Sequence, residues 1–413
     1  MNVSIKELWS LEVGVGPAEH GVYKFGYLWL SPTFKNQFWK VDPETGSILK
    51  TYDMPGNVWG APWVDENRLY GASTKGFVKC FTHNGEVVWN VNPNLDDFLA
   101  EAITEAWSRY IAVQFPMGLA IIRKSDGAIK WCIEWTPETG EGEYGQEPTF
   151  NPETGLLWVC KPTVDNNLEA YDLNGRLIRR LTLPSPPTTY ACPQIWKNLM
   201  AIVCRKDVVV VDHMTGRIVW SKRFEHVKYG DWPPEYPLAG GPRTITPDGR
   251  LIVWLADGDI YCFSLETGVE LWHISLVNLG YASRDCSDPW GYAGGAASDG
   301  VFIILGRNNL PMSSDGLFEI MKNRLFIIDY FTGSIAAVSE PKYQMSCCCK
   351  PIVAEGRVII GSWYKDSEGR KYPARYYCWR LKTLEKRILR NMDYEWLGSY
   401  YHGGYSVGTI LGI

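Results

Sequence analysis

The chain has 413 residues, 46% of them apolar and 21% charged, with a net charge of −5 and a pI near 5.8. That is the composition of a globular body, and the lack of any Lys/Arg-rich run argues against a nucleic-acid surface. No apolar stretch nears the roughly 20 residues needed to cross a bilayer, and the opening MNVSIKELWSLEV carries neither an apolar h-region nor a small-residue cleavage site, so the expectation is a soluble, cytoplasmic protein with no membrane partner.

In chain order, residues 8–13 (LWSLEV) read as a lone outermost strand. A turn of the form D-x-x-T-G-x-x-x-W then recurs. It appears as VDPETGSILK ending at residue 50, CFTHNGEVVW ending at Trp89, IRKSDGAIKW at Trp131, AYDLNGRLIR at Arg179, VVDHMTGRIVW at Trp220, CFSLETGVELW at Trp272 and IIDYFTGSIA at Ala336, with a weak copy carrying Leu384 in place of glycine. The anchor positions lie 39, 42, 48, 41, 52, 65 and 51 residues apart. Alternating apolar strands flank each glycine, which supplies the positive φ of a tight hairpin. Two further strands precede each hairpin, as TYACPQIW and LMAIVC do before DVVVVD. Four antiparallel strands at this period predict an all-β β-propeller.

The expectation is a single domain over 1–413 with eight complete four-stranded blades. They fall at about 16–53, 56–91, 100–135, 145–183, 187–223, 238–275, 290–340 and 343–391. Residues 1–14 and 395–413 are read as closure strands, because HGGYSVGTIL (402–411) is similar to HGVYKFGYLWL (20–30), and a ninth, incomplete blade is left open. On the outer strands Ile48, Val87, Ile129, Leu177, Ile218 and Ile335 follow the glycine by two. A strict period of two puts them on the same face as Trp89, Trp131, Trp220 and Trp272, read as wedges between sheets.

The run of D-x-x-T-G-x-x-x-W turns resembles the PQQ-like repeat of the quinoprotein alcohol dehydrogenase-like β-propellers, over essentially the whole chain. That resemblance implies the fold. It leaves function between pyrroloquinoline-quinone (PQQ) dehydrogenases, which hold the quinone with calcium, and cofactor-free scaffolds such as the BamB-type assembly lipoprotein. The axial acid, calcium ligands and stacking pair of the dehydrogenases do not map residue by residue onto this sequence.

Eleven cysteines, an odd number, read as thiols rather than a secreted disulfide framework. Only five glutamines fit a thermophilic source. Cys80, Cys262 and Cys378 hold matching third-strand positions and read as core. Cys347, Cys348 and Cys349 start an innermost strand, where small residues suit the crowded axis, and alternation keeps the three from sharing one ion. Cys286 falls in an irregular loop. His20 and His402, in similar segments near the two ends, are the weak candidates for a metal or proton-transfer pair, and no dedicated metal site is expected.

Most connections are short. The long ones are 223–241, 275–292, 308–323 and 363–374, and long irregular loops in an economical repeat usually carry function. They bring Tyr229, Trp232, Tyr236, Trp290 and Tyr364 together with Asp231, Glu235, Arg284, Asp285 and Asp288, a mixture suited to recognising a partner. The expected function is a non-catalytic scaffold binding a protein or small ligand through a loop-rich face of blades five to eight, with no cofactor. The alternative is a dehydrogenase with PQQ and calcium.

Overall fold

The structure is a computed structural model. It describes residues 3–383 except 15–17, 34, 96–101, 116–117, 136–147, 161–166, 188–192, 205, 225–242, 247, 256–258, 277, 281–295, 300–301, 308–321, 341, 344–351, 355 and 363–372. Within them the fold is an all-β propeller without helices. Seven blades are built from four consecutive strands each, at 18–53, 63–91, 102–134, 149–182, 194–223, 243–275 and 296–338.

The expectation of eight complete blades is thus corrected to seven. The last described strands, Ile352–Ala354, Arg357–Gly361 and Ala374–Thr383, supply only three of four. The outermost position is filled from the other end of the chain. Strand Val3–Gly14 pairs antiparallel with Ala374–Thr383, from Val3 opposite Thr383 to Gly14 opposite Ala374. Arg375 bonds Ser10 and Glu12, and Arg357 bonds Glu44. The proposed closure segment 395–413 lies outside the described residues, as do His402 and Cys347 to Cys349.

The hairpin turns explain the repeat. Their glycines have φ between +71° and +91°, the left-handed region where a side chain costs energy. The leading aspartate is a turn cap. Asp42 Oδ1 accepts the Glu44 amide at 2.8 Å, and Asp212 Oδ1 accepts those of Met214 and Thr215, both at 2.9 Å. Such side-chain bonds to nearby amides are why Asp favours turns.

One expectation fails at the outer strands of blades one to four, six and seven. The third residue after the glycine is a β-bulge: Phe81 pairs Val87 but Cys80 pairs Trp89, and the same shift separates Ile129 from Trp131. A bulge inserts an unpaired residue and breaks the alternation. The apolar residues two after the glycine therefore leave the tryptophan's face. Ile48, Val87, Ile129, Leu177 and Ile218 are exposed, and Ile335 is half-buried.

The tryptophans reach across to the next blade's turn. Trp89 Nε1 donates to Lys124 O, and Trp131 Nε1 to Leu173 O, both at 2.9 Å. Trp272 Nε1 donates to Tyr330 O at 2.8 Å. Each ring lies on the glycine of that turn: a Cβ at Gly127 would sit 2.8 Å from Trp89 Cδ2, and one at Gly333 2.8 Å from Trp272 Cδ2. Blade four has an arginine instead, and Arg179 Nη2 donates to Met214 O at 2.6 Å. In the composite sheet Trp9 takes this place, with Nε1 on Pro43 O at 2.9 Å and its ring on Gly46.

The described residues divide into two compact units. One comprises those of 1–19, 42–47 and 223–401; the other, those of 20–41 and 48–222. In the second, blades three and four pack Ala112, Leu119 and Ile121 against Leu157 and Val159, and blades four and five pack Trp158 and Leu168 against Met200, Val209 and Val211. In the first, blades six and seven meet through Ile252, Cys262, Phe326 and Ile328, and blade seven meets the composite sheet through Leu325, Ile327, Val358 and Trp379. Interiors built from facing sheets bury second and third strands completely, as LMAIV of Leu199–Val203 shows. Cys80, Cys262 and Cys378 are wholly buried, as read from the repeat.

Candidate functional site

The ten residues singled out in the long loops, Tyr229, Asp231, Trp232, Glu235, Tyr236, Arg284, Asp285, Asp288, Trp290 and Tyr364, all lie outside the described residues. So do Cys286 and His402. His20 is described, and it is a buried side chain in strand Ala18–Lys24 of blade one. The structure therefore brings none of the predicted site residues together. It does define the frame from which two of the loops leave.

That frame is an aromatic shelf in blade six. Phe224, buried just before loop 225–242, lies 5.3 Å from the ring of Tyr261. Tyr261 stacks on His273 at 4.2 Å between centroids and 5° between planes. The stacking follows from register, since Tyr261 and His273 are directly opposite on the third and fourth strands, and cross-strand rings at such positions interact. Two residues along, Asp259 opposes Ser275. Asp259 is buried, and its Oδ2 lies 3.5 Å from His273 Nε2. Beyond Ser275 the chain turns. The Asn278 amide donates to Ser275 Oγ at 3.3 Å, and exposed Leu279 and Gly280, at φ +76°, lead into loop 281–295.

A buried carboxylate beside a partly exposed imidazole helps to fix the ring's orientation. What the shelf offers is a half-buried Tyr261–His273 stack with one polar edge. Reading the sequence alone missed it, because His273 and Asp259 become neighbours only through the register of two strands. The signal available was the alternation D-I-Y-C-F opposite E-L-W-H-I-S.

Elsewhere the polar groups serve the frame. Glu169, fully buried, accepts from Arg180 Nε at 2.9 Å and from the Tyr171 hydroxyl. Asp65 accepts the Tyr70 hydroxyl at 3.0 Å, while Lys124 bonds Glu105 at 2.8 Å. Burial pushes the thiols of Cys80, Cys262 and Cys378 up to about 12 and the Tyr70 and Tyr171 hydroxyls well above their ordinary range. Among the described residues no group of three or more His, Cys, Asp or Glu side chains is placed to hold a metal ion.

Comparison with known proteins agrees with this frame. No curated protein matches the chain. Among solved structures, BamB from Moraxella catarrhalis aligns with TM-score 0.62 at 12% identity, covering 91% of this chain and all of that one. A quinohemoprotein alcohol dehydrogenase from Pseudomonas putida HK5 aligns with TM-score 0.66 at 11% identity, over 91% of this chain and 76% of that one. A europium-containing methanol dehydrogenase gives TM-score 0.66 at 10% identity, over 91% and 93%. At such identities the likeness is one of fold. A family model spans residues 5–155 and 205–294, more than half of the chain, and on that match the protein belongs to the family of the outer membrane protein assembly factor BamB.

Proposed function

We infer that the protein is a non-catalytic scaffold which captures a partner protein or small ligand through the loops 223–241, 275–292, 308–323 and 363–374. The observation that carries this reading is membership of a family described as an assembly factor, over more than half of the chain. The aromatic shelf at the root of two of these loops supports it, since rigid aromatic anchors with a polar edge are the usual energetic centre of a binding surface.

The test places a photo-crosslinking residue at Trp232 and at Trp290, with Asn174 on a hairpin turn as the control. Shortening 223–241 or 275–292 should abolish capture while leaving Tm nearly unchanged. Equal crosslinking from Asn174, or undiminished capture after both loops are shortened, would remove the reading.

A second reading, a quinone-dependent dehydrogenase, is favoured by the alignment with two alcohol-oxidising propellers. Adding PQQ and calcium separates the two. A cofactor bound to the folded state must raise Tm by mass action, so a rise in Tm together with a quinone absorbance shift would support the dehydrogenase.

A further inference from the structure

Blade one departs from the pattern of the bridges described above. Each bridging side chain stands opposite an apolar, wholly buried residue of its third strand: Trp89 opposite Cys80, Trp131 opposite Ile121, Arg179 opposite Ala170, Trp272 opposite Cys262 and Trp9 opposite Cys378. In blade one the bridging position holds Lys50, and the residue opposite is Lys40. Lys50 still covers the next turn, since a Cβ at Gly85 would lie 3.1 Å from its Nζ. The His83 carbonyl of that turn is taken by the Tyr52 hydroxyl at 2.7 Å.

Side chains directly opposite on one face of a sheet have Cβ atoms about 4.5–5.5 Å apart, and like charges placed so repel. Trp29 stands opposite Lys40 on the second strand, so Trp29, Lys40 and Lys50 form one row. The row faces blade two, because the Trp29 ring lies 4.9 Å from that of His83. Lys40 Nζ sits 3.7 Å from the centroid of Tyr27 and 5.1 Å from that of Trp29. Rings attract a cation without cancelling its charge.

No acid described here does so either. Among the described residues neither ammonium has a hydrogen bond or an ion pair, and Glu86, the residue after Gly85, is bonded to neither. Asp65 Oδ2 accepts the Tyr70 hydroxyl, Asp65 Oδ1 accepts the Asn67 and Arg68 amides, and Asp53 accepts Gln37 Nε2. The remaining titratable neighbour is His83, whose Nε2 donates to Asp65 O at 3.0 Å. Burial lowers the His83 pKa, and the Lys40 charge adds to that effect. Two basic side chains thus replace an apolar seal, at a position where their mutual repulsion has no internal compensation.

We propose that Lys40 and Lys50 form an anion site at the junction of blades one and two, and that its ligand is a phosphate group. A phosphate dianion offsets both charges, and ammonium groups bind it as point charges. One carboxylate would offset only one of them, and its planar shape suits a guanidinium fork better. The site lies within one compact unit and uses none of the long loops.

The test titrates the full chain with inorganic phosphate and with glycerol phosphate at about pH 8, where both are dianions. Chloride holds the ionic strength constant, so that screening does not change. Expected are saturable binding at one site, shifts of the His83 ring resonances, and a Tm that rises by mass action. Lys50→Met, which keeps the cover on Gly85, and Lys40→Met should each weaken binding by about tenfold or more. Lys130→Met, on the outer strand of blade three, should bind as the parent does. Tighter binding of glycerol phosphate identifies the source as an organic ester, and equal binding identifies the free ion. No saturable binding, equal binding of acetate, or a Tm rise that survives both Lys→Met changes overturns the proposal.

Discussion

Two glycine-to-alanine substitutions isolate what the bridging tryptophans contribute. Gly127 and Gly155 both sit in turns with positive φ, at +76° and +66°. A Cβ at Gly155 meets nothing within 4 Å, whereas one at Gly127 would lie 2.8, 2.9 and 3.1 Å from three ring atoms of Trp89. Gly155→Ala therefore carries the left-handed penalty alone, about 1–2 kcal/mol. Gly127→Ala carries that plus the displacement of a packed ring, about 1–3 kcal/mol more, and strains the bond from Trp89 Nε1 to Lys124 O. The expected total is about 2–5 kcal/mol, or some 2–6 °C in Tm at the roughly 1.2 °C per kcal/mol that an unfolding entropy of about 2.1 cal/mol/K per residue gives a 413-residue chain. Denaturant titration and calorimetry of both variants read the difference. In a Trp89→Ala background the extra cost of Gly127→Ala should vanish, because nothing is left to displace. Equal costs for the two alanines, or a Gly127→Ala penalty that persists without Trp89, would refute the packing account.

Three further outcomes follow from other features. Gln114 is fully buried, and among the described residues neither its amide nitrogen nor its oxygen has a hydrogen-bond partner, so Gln114→Met should raise stability by about 1–3 kcal/mol; an unchanged or lower Tm would show that the amide is in use. Trp9→Ala removes both the cover on Gly46 and the bond to Pro43, and should cost about 2–4 kcal/mol and make strand Val3–Gly14 the first site of limited proteolysis. Alkaline titration gives a signed test. The Cys80, Cys262 and Cys378 thiols are raised by burial from 9.0 to about 12, so their contribution is intact below pH 9 and is lost as pH rises toward 12, where only the unfolded chain ionises freely. Denaturation midpoints across pH 8–11 should fall less steeply in the triple Cys→Ala variant, and parallel slopes would contradict the assignment.

The hairpins, the four-strand unit and the buried third-strand cysteines were legible because glycine chemistry and strand alternation are local properties. The bulge was not. It falls between two apolar residues, as at Val87, Val88 and Trp89, and only cross-strand pairing shows that Val88 has no partner. Trp9 escaped notice as an outer-strand tryptophan because no Thr-Gly turn precedes it; its glycine, Gly46, belongs to another blade. The eighth complete blade was over-counted for the same reason, since the strand that completes the last sheet comes from the other end of the chain. Asp259 and His273 are diagonal neighbours on adjacent strands from positions 14 apart, a relation that no motif spacing encodes.

The composite sheet also sets a clock on synthesis. Ser10 and Arg375, bonded in the finished fold, are 365 positions apart. At the roughly 5–20 residues per second of a ribosome, the first strand leaves the exit tunnel some 20–70 s before its partner exists. Through that interval Val3–Gly14 is an unpaired edge carrying Leu8, Trp9, Leu11 and Val13. Mutations that slow the last strands would therefore act first on yield and on dependence on chaperones, before any effect on the stability of the completed molecule.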